Sequence, residues 1–249
     1  LVRPGIYEPA SILLLLKLLH LTLMQRIVSR RIGRVSLLMS PASWRRTATR
    51  GTPYAADAGV TNISANIDVI ILASIMGPTI AGTYQAGQKL TQGLNAFALV
   101  LSNVYLPQLS RTDPSTASFR TTAIKLCLLM VGCGGFGALV LVFFPSEVVG
   151  FLYGRGFDAL SPILPMFGLL LLMRYINGSA GIMLTALGMQ KIRVIANTAS
   201  LATLLAASAL LIPTYGLPGM VYSLLISAAI MSSLYYFALL RKIRGDRHA

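Results

Sequence analysis

Three groups of polar side chains stand out because apolar sequence surrounds them. Asp57, Thr61, Ser64 and Asp68 fall within one narrow stripe when wound at about 100° per residue. Gln85, Gln88, Lys89, Gln92 and Asn103 share a face of the next apolar segment. Arg174, Asn177, Gly178, Gly181 and Thr185 share one further along. A charge at the centre of a bilayer costs at least about 2.5–3.5 kcal/mol, so these faces must meet one another or water. They act either as polar glue between helices or as the lining of a hydrated cavity. Asp68 and Lys89 lie on opposite sides of a Gly77-Pro78 turn. In an antiparallel hairpin their depths differ by about 4 Å, less than one helical turn, so they are expected to pair.

The remaining chemistry is sparse. Cys127 and Cys133 are six apart, which places them on different sides of a helix and suits neither a metal nor a disulfide. His20 and His248 are isolated, and there is no Ser/His/Asp grouping, no carboxylate pair near a His and no phosphate-cradling loop. The run Gly132-Cys133-Gly134-Gly135-Phe136-Gly137 is embedded in apolar sequence, where it reads as close helix packing. The residues therefore point away from an enzyme and call for no metal and no cofactor.

The elements that must position these groups are membrane helices. Hydrophobic residues make up 55% of the chain and charged residues 11%, with a mean hydropathy of +0.72. A soluble domain carries roughly twice that charged fraction. Apolar runs of about 20 residues recur, and within lipid the backbone must satisfy its own hydrogen bonds, so an all-α polytopic bundle of about seven spans is expected. The spans are placed at 9–25, 53–76, 78–109, 121–144, 160–187, 194–212 and 216–240, with proline near many of their ends.

The net charge of +14 follows this threading. Sixteen of the 21 Lys and Arg residues, from Arg26 in the first loop to Arg247 in the tail, fall on one side when the spans alternate. That is the positive-inside pattern, which puts the C-terminus in the cytoplasm of a plasma (inner) membrane and makes nucleic-acid binding unnecessary. Residues 1–25 then read as the last transmembrane helix of an N-terminal bundle, 26–52 as a basic cytoplasmic linker and 53–240 as a six-helix bundle, with 241–249 a cytoplasmic tail. In the linker, Arg alternates with Ile, Val and Leu over residues 26–38. This suits a helix lying on the inner leaflet, and a disordered connector fits as well.

Several stretches resemble the polysaccharide biosynthesis flippases. They are Asn66-Ile67-Asp68-Val69-Ile70-Ile71-Leu72, Ala81-Gly82-Thr83-Tyr84-Gln85-Ala86-Gly87-Gln88-Lys89-Leu90 and Val104-Tyr105-Leu106-Pro107-Gln108-Leu109-Ser110. Later ones are Leu152-Tyr153-Gly154-Arg155-Gly156-Phe157, Thr185-Ala186-Leu187-Gly188-Met189-Gln190-Lys191 and Ile212-Pro213-Thr214-Tyr215-Gly216-Leu217-Pro218-Gly219. The resemblance covers about residues 53–244 and is to the O-antigen and exopolysaccharide branch of the multidrug/oligosaccharidyl-lipid/polysaccharide exporter superfamily. It implies two helical bundles around a central cavity, of which this chain supplies the second, and movement of an undecaprenyl-diphosphate-linked oligosaccharide between leaflets. It further implies that Lys89 and Arg174, and less directly Lys17, screen the diphosphate. Gln85, Gln88, Gln92 and Asn177 would then bond sugar hydroxyls, and Asp57 or Asp68 would carry a coupling ion. The implied partners are the lipid-linked oligosaccharide, membrane lipids and a first bundle. Alternatives are a drug/cation antiporter, which would favour acidic cavity groups, and a membrane-embedded polysaccharide polymerase or glycosyltransferase.

Overall fold

The computed structural model describes residues 7–31 and 41–245, and all of its regular structure is helical. The chain divides into two compact units, Leu1–Arg50 and Gly51–Ala249. In the first lies α1, Tyr7–Arg31, which runs six residues beyond the expected end of the first span. Its leucines from Leu15 to Leu23 are exposed. The expected interfacial helix falls mostly on residues 32–40, outside the described residues.

The next helices are α2 (Pro41–Met76), α3 (Pro78–Leu94), α4 (Ala96–Arg111) and α5 (Ala117–Phe143). After them come α6 (Pro145–Leu152), a 3-10 segment (Arg155–Ile163), α7 (Leu164–Ala186), α8 (Gln190–Tyr215) and α9 (Leu217–Gly245). Among the described residues, five stretches are long and apolar enough to cross a membrane: Tyr54–Met76, Ala117–Phe143, Gly156–Ala186, Gln190–Tyr215 and Leu217–Lys242. The chain is a multi-pass membrane protein of all-α class. Of the seven expected spans, the third is interrupted.

Helix ends follow local chemistry. Pro78 and Pro145 occupy the first turns of α3 and α6, where a missing N–H leaves nothing unsatisfied. Gly77, Gly188 and Gly216 take positive φ (87°, 70° and 63°) at the tight turns before α3, α8 and α9, a conformation that disfavours any Cβ. The Thr116 side chain caps α5 by accepting from the Phe119 N–H at 3.3 Å. In the turn before it, the Asp113 carboxylate accepts from the Ser115 N–H (2.9 Å) and hydroxyl (2.8 Å), which holds its pKa below the ordinary value.

The interruption of the third span lies at Asn95, between α3 and α4. The Tyr175 hydroxyl donates to the Leu94 carbonyl at 2.7 Å, reaching across from α7 to the place where the helical ladder is broken. The local sequence marks the break only weakly, through Gly93 and Asn95, both poor helix formers.

Helix α7 is the hub of the second unit, packing on α3, α4, α5, α8 and α9. Its Leu164, Phe167, Leu170, Leu171 and Tyr175 are at most 1% exposed. Glycines set the α5–α7 distance. A Cβ at Gly134 would lie 2.7 Å from Tyr175, one at Gly137 2.9 Å from Leu171, and one at Gly168 2.9 Å from the Ala138 carbonyl. The glycine-rich run thus serves packing, although Gly132 and Gly135 in the same run meet nothing. Cys127 and Cys133 are free thiols, half-buried and exposed respectively.

Candidate substrate-facing site

The polar residues of α3 divide between two faces. At about 100° per residue, neighbouring positions point in quite different directions. Gln88 is turned into the bundle with 4% exposure, whereas Gln85, Lys89 and Gln92, spaced four and three apart, are exposed. The Lys89 ammonium donates to Gln92 Oε1 at 3.3 Å along that outer face. Asn103, beyond the break at Asn95, is exposed on α4. The five residues expected on one face therefore do not form a single row.

Behind α3 lies a chain of charge. Asp68 of α2 is 2% exposed and accepts from the Tyr84 hydroxyl, from Gln88 Nε2 at 2.7 Å and from the Val69 N–H at 2.8 Å. The other end of the Gln88 amide accepts from Arg174 Nη2 at 2.9 Å, while Arg174 Nη1 donates to Thr91 Oγ1 at 3.3 Å. A buried carboxylate and guanidinium are thus matched through a neutral amide. The amide can serve both because one end donates and the other accepts. Tyr84 is held in place by its ring contact with Phe167 at 5.7 Å. The expected Asp68–Lys89 pair does not form. Tyr84 and Gln88 are one helical turn apart on the face that meets α2, and Lys89 is on another.

A second network surrounds Asp57, 6% exposed, eleven residues earlier in α2. It forms an ion pair with Arg193 Nη2 at 3.1 Å and accepts from Gln190 Nε2 at 2.8 Å and Asn197 Nδ2 at 2.5 Å. Arg193 Nη1 also donates to Thr185 Oγ1 of α7 at 2.5 Å, and the Tyr235 hydroxyl of α9 donates to Asn197 Oδ1 at 3.0 Å. Four helices meet there. Arg193, assigned from the sequence to a loop, sits in the first turn of α8 and enters the bundle. The spacing Gln190, Arg193, Asn197 is a helical stripe and was the available signal.

Asn177 is 4% exposed and turned towards α9, donating to the Ala228 carbonyl at 3.0 Å and accepting from the Ser232 hydroxyl at 2.5 Å. The structure thus brings Gln88 and Arg174 together and sets Gln85, Lys89 and Gln92 side by side. It places Asn177 at a separate helix contact. Among the described residues no group of three or more His, Cys, Asp and Glu is placed to hold a metal ion. Lys17 lies on α1 in the first unit and is exposed.

A multi-pass helical bundle with an uncovered polar, cationic face and a charge-matched network behind it is the class that fold and site define. Residues 2–113 match the family model described as polysaccharide biosynthesis protein. The chain is also 26% identical over 170 residues to the lipopolysaccharide biosynthesis protein WzxC of Escherichia coli, covering 66% of this chain and 34% of that protein. The chain spans about a third of the length of this curated relative. These matches support the resemblance to the polysaccharide biosynthesis family. The family match includes the stretches from Asn66 to Ser110 and ends before the later ones. No solved structure matches.

Proposed function

We propose that the chain forms one wall of a transporter that moves a lipid-linked oligosaccharide, anchored through an undecaprenyl diphosphate, across the inner membrane for surface polysaccharide synthesis. One observation carries the reading: a lysine between two glutamines is exposed on α3 within a membrane bundle. Hydrocarbon cannot cover that face cheaply, so it borders water or another wall of protein. Lys89 screens the diphosphate, Gln85 and Gln92 bond sugar hydroxyls as the head group passes, and Arg174 adds a second cation held by Gln88 and Thr91. No bond is made or broken, so the chain works as a carrier and not as an enzyme. A first bundle supplies the opposite wall, as alternating access about a central site requires two halves. The C-terminus is cytoplasmic. Asp68, whose side-chain partners Tyr84 and Gln88 are both neutral, is the coupling candidate, while Asp57 is already neutralised by Arg193.

The test is a flipping assay with fluorescent lipid-linked oligosaccharide in vesicles, run on this chain alone and together with a first bundle. Flipping is expected only with both. With both present, Lys89→Ala and Arg174→Ala should each abolish it, and Lys89→Arg and Arg174→Lys should keep part of it. Full activity of the Lys89→Ala variant would remove the lysine face from the mechanism.

A further inference from the structure

At the far end of the bundle from the α2–α3 turn, the first turns of α8 and the last turns of α9 enclose a groove of about 740 Å3. Seven of its nine lining residues are apolar and none is acidic. Its floor is made where two small residues meet, Ala196 of α8 and Ala238 of α9, 1% and 8% exposed. Large side chains rise on either side, Ile195 at 64% and Phe237 at 66% exposure. One helical turn beyond Phe237 the groove ends on two exposed cations, Arg241 and Lys242. Along α9 it covers residues 234–242, about 12 Å at 1.5 Å per residue.

We propose that this groove binds one anionic phospholipid, with an acyl chain over the alanine floor and the phosphate on Arg241 and Lys242. The order of its lining residues matches the order of groups in such a lipid, with the charge at the membrane edge and the apolar part towards the interior. The groove lies between α8 and α9, both long and apolar enough to cross a membrane, so a lipid of the bilayer can reach it. Its apolar part cannot by itself select a lipid, because lipid tails are as apolar as leucine and gain little by exchanging partners. Selection must come from charge. Each Lys or Arg near the headgroups favours an anionic lipid by about five-fold, so the pair should favour it by roughly 25–30-fold.

The full chain, purified in mild detergent with equal amounts of phosphatidylglycerol and phosphatidylcholine, can be measured by native mass spectrometry. One retained phosphatidylglycerol is expected, at roughly that preference. Arg241→Gln with Lys242→Gln should bring the two lipids to parity. Both side chains are exposed, and an unchanged circular dichroism spectrum would show that binding was lost and not the fold. Ala196→Leu with Ala238→Leu should fill the floor and displace the lipid with both cations in place. Equal retention of the two lipids by the unaltered chain, or an undiminished preference in the charge variant, would overturn the proposal. So would displacement of phosphatidylglycerol by an equal concentration of undecaprenyl phosphate, which would make the groove a station for the transported lipid.

Discussion

The amide of Gln88 is the most informative single target. Replacing it by leucine removes two hydrogen bonds to charged groups, one to Asp68 (2.7 Å) and one from Arg174 (2.9 Å). In soluble proteins each is worth about 1.5–3 kcal/mol. Within membranes measured couplings average about 0.6 kcal/mol and reach about 1.7, because the unfolded helices find other partners. Asp68 keeps Tyr84 and the Val69 N–H, and Arg174 keeps Thr91. The loss should therefore fall near 1–3 kcal/mol, between these limits. Gln88→Glu should cost more, since it sets a second carboxylate against Asp68. Adding Asp68→Asn to it restores one anion and one cation: the new carboxylate meets Arg174 directly and accepts from the new amide. Unfolding in mixed detergent–SDS micelles, followed by helical circular dichroism, measures all three variants. The double variant should regain at least half of what Gln88→Glu loses. If it is no more stable than the worse single change, the bridge is incidental geometry. Exchanging Asp68 and Lys89 should give no such recovery, because Lys89 faces Gln92 on the outer side of α3.

Gly134→Leu should separate α5 from α7, because its Cβ already falls 2.7 Å from Tyr175; overpacking of this kind costs about 1–3 kcal/mol. Gly135→Ala, with nothing near it, should stabilise slightly in the same unfolding assay. Arg193→Gln should destabilise by about 1–3 kcal/mol, below the 3–5 typical of a fully buried pair, because Gln190 and Asn197 still satisfy Asp57; no loss would mean that the four-helix junction does not depend on charge. In a background with Cys127 and Cys133 replaced by alanine, Asp158→Cys should label with an impermeant thiol reagent outside intact cells and Ser43→Cys should not; the reverse pattern would invert the threading.

The fold was legible where physics is local. Apolar length marked five crossings and Gly77-Pro78 marked a turn, because backbone preferences act within a few residues. The Asn95 break was hinted at only by Gly93 and Asn95, and the Tyr175 hydroxyl that meets it comes from 80 positions later. At the site, the polar character of α3 could be read, but the direction of each residue could not. Hydropathy periodicity separates apolar from polar faces, and α3 has two polar faces, so it does not say whether Gln88 or Lys89 turns inward. Arg193 was misplaced for a related reason. A cation near a span end counts as a topology signal until a buried carboxylate is seen beside it.

The two carboxylates of α2 have one more effect. Apart from the fully buried Leu72, this helix shows much of its apolar surface outward, with Ile63, Ile70 and Ile75 at least half exposed. In hydrocarbon such surface prefers no particular heading. Asp57 and Asp68 are eleven positions apart, which puts them within about 20° of the same heading and about 16 Å apart along the axis. Each is caught by donors on neighbouring helices. Turning α2 by a quarter revolution would drag both carboxylates into lipid together, whereas a tilt about either one leaves that one in place. The helix is keyed against spin but not against swing.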